Sequence, residues 1–428
     1  RLNERFAEYA DTHIGFYIND ICYLASSFGL DRWTDLTYWY MFKYAMCSEA
    51  MPYFAYNLAA IIKSVYGKNK KVLPLDMDNT LWGGIVGDDG VENLDLGEET
   101  PTAQGYDEFQ KYIKQQKQLG VLLTINSKND YENAIAGLKH PDSRFSPDDF
   151  TVIKANWNPK DINLKDTAAA LELGTDSFVF VDDNPAERDI VAANVPGVAV
   201  PEIGEIQDYI RTLDKSAFFE VTSFTDEDMN RGEMYAQNAK RAEMKSEYAD
   251  YGEYLTNLQM KGEIQSFIPM YISRIAQLTN KSNQFNVTTR RYTVEDIEKC
   301  AVSPDYITLY GRLSDRFGDN GVVSVVIGKK DGNALHIDVW LMSCRVLKRD
   351  MEYAMLDALV AKCRNQGIDM IYGYYYPTKK NGMVKELFAD FGFEKQSDTD
   401  GNTVWMLKTA GYTNKNRYID VPQEETDA

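Results

Sequence analysis

Three things are scarce in this chain of 428 residues, and each scarcity excludes a class of protein. The five cysteines are odd in number and widely spaced, so no zinc pattern is present and we expect reduced thiols in the cytosol. No run of 18 apolar residues occurs, which excludes a transmembrane helix. Basic residues are scarce, since 46 Lys and Arg stand against 65 Asp and Glu and give a net charge of −19. We therefore predict a cytoplasmic protein with no nucleic-acid or membrane partner, because both of those surfaces attract basic proteins.

An initiator methionine and a signal peptide are also missing, since the chain begins at Arg1 and no leader pattern follows. We expect a trimmed chain whose N-terminal segment belongs to something larger. The composition, 44% hydrophobic and 26% charged, is typical of a globular protein. A length of 428 residues exceeds one ordinary core and predicts two or three domains.

Hydrophobic periodicity divides the chain into five regions. In the second region, short apolar strands alternate with helices, which predicts an α/β fold with a doubly wound parallel sheet. The fourth region again mixes strands and helices, in the manner of an acyltransferase-type α/β domain. The predicted regions are a helical N-terminal segment (1–70), the doubly wound domain (71–205), a charged helical connector (206–255), the mixed α/β domain (256–410) and a polar, disordered tail (411–428).

Aromatic side chains are concentrated in the N-terminal segment, and we expect them to lie in a core. Residues 48–66 predict an amphipathic helix, with Ser48 as its N-cap and Pro52 in its first turn. Gly67 then ends this helix.

Asp76 and Asp78, separated by one residue and followed by Thr80, carry the strongest chemical signal in the chain. They follow the apolar residues 71–75, which predict a buried strand. Open α/β sheets bind ligands in the crevice at the carboxyl ends of their strands, so both carboxylates can reach one site. A carboxylate nucleophile with a second carboxylate as acid and base can transfer a phosphoryl group through an aspartyl phosphate.

Two later strand ends supply groups that would bind a phosphoryl group. Ser127 follows the predicted strand 121–125 and offers a hydroxyl, with backbone N–H groups nearby. Lys160 lies in the loop after the next strand and could neutralise charge between nucleophile and phosphate. Lys154 and Lys165 are alternatives for the same role.

A further strand end supplies a second acidic pair, Asp182 and Asp183, after the predicted strand 178–181. Acidic residues at two strand ends form the hard oxygen site that suits Mg²⁺. Without a cation, these two carboxylates would repel those of Asp76 and Asp78 as well as a phosphorylated substrate.

The order of these motifs resembles that of the haloacid dehalogenase (HAD) superfamily. The matching motifs are Asp76-x-Asp78-x-Thr80, Ser127, Lys160 and Asp182-Asp183. The resemblance implies that Asp76 is the nucleophile and Asp78 the general acid and base. It also implies that Mg²⁺ is held by Asp76, by the backbone carbonyl of Asp78 and by Asp182, with Asp183 nearby.

A closer resemblance, over roughly residues 30–410, is to the FkbH-like proteins, of HAD subfamily IIIC type. The segments that carry it are LDMDNTLWGG (75–84), SKND (127–130), VDDNP (181–185), QLTNKSNQFN (277–286), TTRR (288–291), DRFGDNG (315–321), SCR (343–345) and TKKN (378–381). The resemblance implies a HAD domain joined to a GNAT-like domain. Some such proteins load a glyceryl unit onto an acyl carrier protein, and others belong to surface-polysaccharide clusters. It also implies that residues 1–70 are the remnant of an SGNH-hydrolase-like region.

The segment between Asp78 and the helix predicted at 106–119 is too short for a cap domain. Within it, residues 85–91 predict a β-hairpin with an Asp/Gly turn. We therefore expect an open site that accepts a large substrate or is covered by the C-terminal domain.

The acyltransferase-type domain departs from the GNAT pattern. In that fold, a glycine-rich turn holds the pyrophosphate of coenzyme A, but Lys348 and Asp350 stand where glycines are expected. This disfavours coenzyme A and leaves a degenerate acyl- or partner-binding role open. Cys344 is either an acyl-carrying thiol or a buried, inert one. Arg290 and Arg291 either bind an anion or form salt bridges.

The predicted function is that of a Mg²⁺-dependent HAD-family phosphatase or phosphotransferase acting on a phosphorylated small molecule. Coupling to acyl transfer onto a carrier protein, or to surface-polysaccharide synthesis, follows only from the FkbH-like resemblance. The alternative is a GNAT-type acyltransferase whose HAD domain is supporting or vestigial.

Overall fold

The structure is a computed structural model that describes residues 2–13, 15–222 and 229–422. The chain divides into two compact units, Arg1–Tyr235 and Ala236–Ala428. The division falls within a helix and not at either end of the predicted connector. In the described part of the chain, no helix combines the length and the apolar character needed to cross a membrane.

The first unit consists of a small parallel sheet with helices before, between and after its strands. Its strands are β1 (Val72–Leu75), β2 (Leu122–Ser127) and β3 (Val152–Ala155). Its helices are α1 (Leu2–Thr12), α2 (Ile21–Phe28), α3 (Leu30–Trp33), α4 (Leu36–Phe42), α5 (Met51–Val65), α6 (Val86–Asp89), α7 (Pro101–Gln118), α8 (Tyr131–Leu138), α9 (Lys160–Ala170), α10 (Pro185–Asn194) and α11 (Ile206–Lys215).

The strands of this sheet run in the order β1-β2-β3, all parallel. The predicted strands 178–181 and 198–200 join it only through isolated parallel bridges, such as Leu75 with Val181. Alternate strand residues face two separate cores. Leu73 packs with residues of α7, α8 and α11 on one face, and Val72 packs with residues of α9 and α10 on the other. The predicted α/β fold with a parallel sheet, covered by helices on both faces, is confirmed.

The prediction of a β-hairpin at residues 85–91 is wrong, because this segment forms α6 followed by a 3₁₀ turn at Val91–Asn93. The backbone N–H groups of Asp88 and Asp89 donate to the carbonyl of Ile85, which closes a helical turn. The Asp89 carboxylate accepts a hydrogen bond from the Ile85 N–H at 2.7 Å. The hydrogen bond from the Ile85 N–H to the Asp89 carboxylate therefore favours a helix here, although an Asp-Gly pair is typical of a β-hairpin turn.

Part of the predicted connector belongs to the core of the first unit. Helix α11 buries Tyr209 and Leu213, which lie four residues apart on one face of the helix. Both pack in the core that contains β1 and β2. The surrounding charged residues concealed this apolar stripe in the sequence. Residues 223–228 of the connector lie outside the described part of the chain.

The expected burial of the N-terminal aromatic residues is wrong for most of them. Trp33 is buried in a small cluster with Ala25, Cys47 and Ala50, but the described residues of these short helices enclose no larger core. The predicted helix 48–66 begins as a 3₁₀ turn at Ser48 and continues as α5. The exposed aromatic residues that the prediction placed in a core are Phe16, Tyr17, Tyr23, Tyr38, Trp39, Tyr40, Phe42 and Tyr44.

The second unit is built on a larger, mostly antiparallel sheet. Its strands are β4 (Met260–Gln265), β5 (Phe285–Asn286), β6 (Tyr306–Asp315), β7 (Gly318–Asp331), β8 (Ala334–Met342), β9 (Met370–Tyr375), β10 (Glu394–Thr399), β11 (Asn402–Lys408) and β12 (Ile419–Asp420). Its helices are α12 (Arg231–Ser246), within which the two units divide, α13 (Tyr251–Asn257), α14 (Ile272–Lys281), α15 (Val294–Val302), α16 (Met351–Asn365) and α17 (Leu387–Asp390). The strand order is β10-β11-β9-β8-β7-β6-β4-β12, and β5 pairs with β8.

The described part of the predicted tail is ordered, which corrects the expectation of disorder. Ile419 is buried, and β12 pairs in parallel with β4. The buried carboxylate of Asp357 accepts hydrogen bonds from the backbone N–H groups of Lys415 and Asn416 and from the Tyr412 hydroxyl. The Asp357 carboxylate and the pairing of β12 therefore hold this polar segment, although it contains no hydrophobic run. Residues 423–428 lie outside the described part of the chain.

Candidate active site

The candidate site lies at the carboxyl edge of the parallel sheet. Asp76 follows β1, and its backbone N–H donates to the carbonyl of Val181 at 2.9 Å. Ser127 is the last residue of β2, is buried and lies opposite Ala155 of β3. The backbone N–H of Asn156 donates to the Ser127 carbonyl. Three residues of a turn follow, and Lys160 then begins α9. Parallel strands place all these chain positions at one edge, as the sequence predicted.

Lys160 is the buried cation at the centre of the site. Its Nζ lies 2.7 Å from Asp76 Oδ2 and 2.6 Å from Asp182 Oδ2. Burial acts to lower the pKa of this lysine, but the carboxylates of Asp76 and Asp182 outweigh burial and raise it. Of the two alternatives, Lys165 pairs with Asp161 at 3.1 Å, and Lys154 lies within β3. The geometry therefore favours Lys160 as the lysine of the site.

Three carboxylates converge on a possible cation position. Asp76, Asp182 and Asp183 each offer an oxygen, and these atoms lie within 4.8 Å of one another. Burial, and then the charge of Asp76, raise the pKa of Asp182 to about 7, and the same two causes raise the pKa of Asp183. Among the described residues, Asp76 Oδ1 is buried with no hydrogen-bond partner. Hard oxygen ligands with excess negative charge and an unshared oxygen fit Mg²⁺.

The carboxylate of Asp78 is held apart from this cluster by three donors. Its Oδ1 accepts the Trp82 indole N–H at 2.9 Å and the Val86 backbone N–H at 3.0 Å, and its Oδ2 accepts the Asn129 amide at 2.8 Å. Burial is the largest influence on its pKa, which is raised. The side chain of Asp78 is thus oriented, and it retains a proton more readily than an exposed aspartate.

Several residues that support the site were missed in the sequence. The hydroxyls of Tyr106 and Tyr209 donate to the carbonyl of Asn79, at 3.3 Å and 3.0 Å. Asn79 has a φ of 55°, in the left-handed region, which turns the chain sharply after Asp78. Tyr209 lies 130 residues further along the chain, so no local pattern could have identified it.

Arg188 holds the second acidic strand end in place. Its guanidinium donates to the carbonyl oxygens of Asp182 and Asp183, at 2.9 Å and 2.7 Å, and also to Glu202 at 2.9 Å. In the sequence, only the position of Arg188 in the first turns of α10, shortly after the acidic pair, could have indicated this supporting role. Nearby, Lys128 forms an ion pair of 2.5 Å with the mostly buried Glu187.

The polar residues predicted in the second unit are engaged within that unit. Arg290 pairs with Asp338, and Arg291 donates to the carbonyl of Thr279 and to Asn283, so salt bridges and structural bonds account for both arginines. Cys344 is half-buried at the start of a 3₁₀ turn.

The turn of the second unit that lacks glycines has a backbone shape that favours glycine. Lys348 and Asp350 have φ values of 63° and 61°, in the left-handed region. The prediction that this turn disfavours coenzyme A stays a prediction.

Comparison with known proteins finds a phosphatase domain among the similar solved structures. No protein-family model and no curated protein matches the chain. The chain is similar to the N-terminal part of the protein BF1531 from Bacteroides fragilis, which contains a phosphatase domain complexed with Mg. The identity is 35% and the TM-score 0.51, over 52% of this chain and 60% of that one. The chain thus spans 60% of the length of that structure. The narrower FkbH-like resemblance stays a prediction.

Acetyltransferases are also among the solved structures that match. The ribosomal-protein-S18-alanine N-acetyltransferase from Escherichia coli matches 37% of this chain and 99% of its own, at 10% identity and a TM-score of 0.28. Ard1 from Thermoplasma volcanium matches 34% and 97%, at 16% identity and a TM-score of 0.28. A likeness at this level says nothing about chemistry.

Proposed function

We propose that the first unit is a Mg²⁺-dependent phosphatase or phosphotransferase that acts through a phosphorylated Asp76. The observation that carries the proposal is the buried group of Asp76, Lys160 and Asp182, in which one oxygen of Asp76 is left unshared. An unshared, buried carboxylate oxygen within a group of three close carboxylates is a position that a bound cation would complete. The likeness to a phosphatase domain complexed with Mg supports the same chemistry.

The three carboxylates of Asp76, Asp182 and Asp183 would hold the metal ion, as their spacing allows. When bound, Mg²⁺ supplies positive charge that offsets these carboxylates and the phosphoryl oxygens of the substrate. Lys160 adds a second positive charge beside the nucleophile. Together these charges allow an anionic substrate to approach an otherwise repelling, acidic site.

The first half of the reaction transfers the phosphoryl group to the protein. A carboxylate oxygen of Asp76 forms a bond to phosphorus while the bond from phosphorus to the leaving oxygen breaks. Asp78 gives that leaving oxygen its proton, a role that suits its raised pKa and its fixed orientation.

The second half releases the phosphoryl group. A water molecule attacks the phosphorus of phospho-Asp76, and the Asp78 carboxylate takes up the proton of the water. Free phosphate leaves and Asp76 is restored. If an acceptor hydroxyl replaces water, the same steps make the protein a phosphotransferase.

The substrate that we propose is a phosphorylated small acid or sugar-derived group, passed to an acyl carrier protein or used in surface-polysaccharide synthesis. The FkbH-like resemblance supports this substrate class. An assay with phosphorylated metabolites, with and without a carrier protein, separates the possibilities. Phosphate release alone identifies a phosphatase, whereas a mass adduct on the carrier identifies acyl loading.

The test of the proposed chemistry is the variant Asp76→Asn with p-nitrophenyl phosphate as substrate. We expect turnover to fall to background while circular dichroism shows a folded protein, and EDTA to abolish turnover of the unaltered protein. The control Asp166→Asn removes an exposed acid from α9 and should leave turnover intact. Full activity of Asp76→Asn, or full activity in EDTA, would overturn the proposal.

A further inference from the structure

Exposed apolar side chains lie in the segments that follow each of the three parallel strands, two in loops and one at the first residue of α8. Ile85 follows β1, Tyr131 follows β2 and Trp157 follows β3, with exposed fractions of 43%, 52% and 69%. Trp157 is the largest and the most exposed of the three. A single exposed apolar residue needs no explanation, but a tryptophan on a fixed loop beside a candidate active site does.

The ring of Trp157 is held in one orientation by a hydrogen-bond chain that ends in the site. Its indole N–H donates to Asp130 Oδ1 at 2.9 Å. The Asp130 backbone N–H donates to Asn129 Oδ1 at 2.8 Å, and the Asn129 amide donates to Asp78 Oδ2 at 2.8 Å. The edge of the indole is therefore fixed relative to the predicted acid and base, and its faces remain exposed.

The Asp130 side chain accepts the indole N–H of Trp157 and makes no hydrogen bond that caps helix α8. Asp130 occupies the N-cap of α8, yet its side chain makes no capping hydrogen bond. At other N-caps of this chain, Asp20, Asp35 and Asp250 all accept backbone N–H groups of the first turn. Asp130 thus forgoes helix capping and orients an exposed tryptophan instead.

The loop that carries Trp157 is held by side-chain hydrogen bonds of Asn156 and lies close to the nucleophile. The Asn156 side-chain oxygen accepts from the Asn158 N–H and from the Asn163 amide, both at 3.0 Å. Trp157 precedes Lys160 by three residues, so their Cα atoms are at most about 11 Å apart. The amine of Lys160 lies 2.7 Å from Asp76. A substrate phosphorylated at this site would have its organic part within reach of the indole.

We propose that Trp157 is a specificity-determining residue whose indole face packs against a ring in the organic part of the phosphate ester. This inference rests on the proposed function and narrows its substrate class, since it favours a ring-bearing, sugar-derived group over an acyclic small acid. It predicts that the site prefers phosphate esters with a sugar or aromatic ring over small acyclic phosphates, because only a ring offers a face to stack on the indole.

The experiment compares two probes that differ in this respect, p-nitrophenyl phosphate and acetyl phosphate, on the full chain with Mg²⁺. The measured quantity is the ratio of the two kcat/KM values. In Trp157→Ala we expect this ratio to fall by roughly fivefold to 100-fold, the range typical of a lost stacking partner. The change should lie in KM for p-nitrophenyl phosphate, since stacking on the leaving group acts on binding.

Two further variants separate stacking from a structural effect. Trp157→Phe keeps an aromatic face without the N–H donor and should keep the ratio within about threefold of its original value. Trp39→Ala removes an exposed tryptophan from α4 and should not change the ratio. If Phe behaved like Ala, the effect would belong to the N–H donor, and the stacking proposal would be overturned.

The outcomes distinguish this inference from the proposed function. If Asp76→Asn abolishes turnover of both probes but Trp157→Ala leaves the ratio within twofold, the stacking proposal alone is wrong. An equal loss for both probes in Trp157→Ala would assign the residue a structural role and also overturn it. If the unaltered protein turns over neither probe, both proposals fall together.

Discussion

At the scale of single residues, the site depends on one buried lysine shared by two carboxylates. Lys160 contacts Asp76 and Asp182, and Asp183 adds a third carboxylate. Breaking a buried pair by removing one partner typically costs about 3–5 kcal/mol, because the remaining charge stays buried. Three carboxylates around one lysine leave an excess of buried negative charge that a cation would offset, which is the pattern of a functional site.

Arg188 provides a residue-scale prediction about metal affinity. Because its guanidinium holds the carbonyls of Asp182 and Asp183, Arg188→Met should loosen this acidic strand end. We expect the Mg²⁺ concentration for half-maximal activity to rise about tenfold or more, as is usual when a partner behind the ligands is lost. The measurement is a Mg²⁺ titration of turnover.

The matched control for Arg188→Met is Glu202→Gln. Glu202 is the third partner of this arginine, but its side chain is 82% exposed, so its ion pair contributes little. The titration midpoint should stay within about twofold in this control. Equal midpoints in both variants would show that Arg188 does not orient the acidic pair.

At the scale of elements, short pieces of structure connect the site to its surroundings. Helix α6 lies shortly after Asp78 in the chain, and the backbone N–H of Val86 at its start donates to the Asp78 carboxylate. Helix α11 supplies Tyr209, whose hydroxyl supports the turn after Asp78. Both helices lie in stretches that the sequence predicted as something else, a hairpin and a connector.

The place of α11 in the core leads to a stability prediction. Leu213 is almost fully buried in the core that contains β1 and β2, so Leu213→Ala should lower the free energy of unfolding by about 2–5 kcal/mol. Urea denaturation followed by circular dichroism measures this change. Gln207→Ala, at an exposed position of the same helix, should change it by less than about 0.5 kcal/mol. A change in the free energy of unfolding as small in Leu213→Ala as in the control would indicate that this helix is a connector and not part of the core.

At the scale of the whole molecule, we expect the binding of Mg²⁺ to stabilise this negatively charged protein. The net charge is −19, and three carboxylates of the first unit lie within 4.8 Å of one another. A ligand that binds only the folded state at 100 times its dissociation constant stabilises that state by about 2.7 kcal/mol. We therefore expect MgCl₂ to raise the melting temperature by roughly 5–10 °C.

The comparison for this melting experiment is KCl at equal ionic strength, which screens the overall charge but does not occupy the site. Asp183→Asn should reduce the Mg²⁺-dependent rise, since it removes one of the three carboxylates. An identical rise with KCl would mean that Mg²⁺ acts through general screening and not at this cluster.

The sequence by itself determined the sheet and the positions of its polar strand ends. Apolar runs such as 72–75 read as strands, and parallel strands must bring their carboxyl ends to one edge. This places Asp76, Ser127, Lys160 and Asp182 at one edge of the sheet without any knowledge of packing, and the structure brings Lys160 against Asp76 and Asp182. The α/β class follows from the same local periodicity, because each strand and helix is recognised from its own residues.

Only the tertiary structure decided which residues surround those strand ends. The bond from Tyr209 to the Asn79 carbonyl joins residues 130 positions apart, and the indole of Trp157 meets Asp130 across 27 positions. The exposed N-terminal aromatic residues and the ordered Ile419 likewise contradict what composition predicted. The physical reason is that local pattern sets backbone conformation, whereas burial and hydrogen-bond partners depend on which distant surfaces pack together.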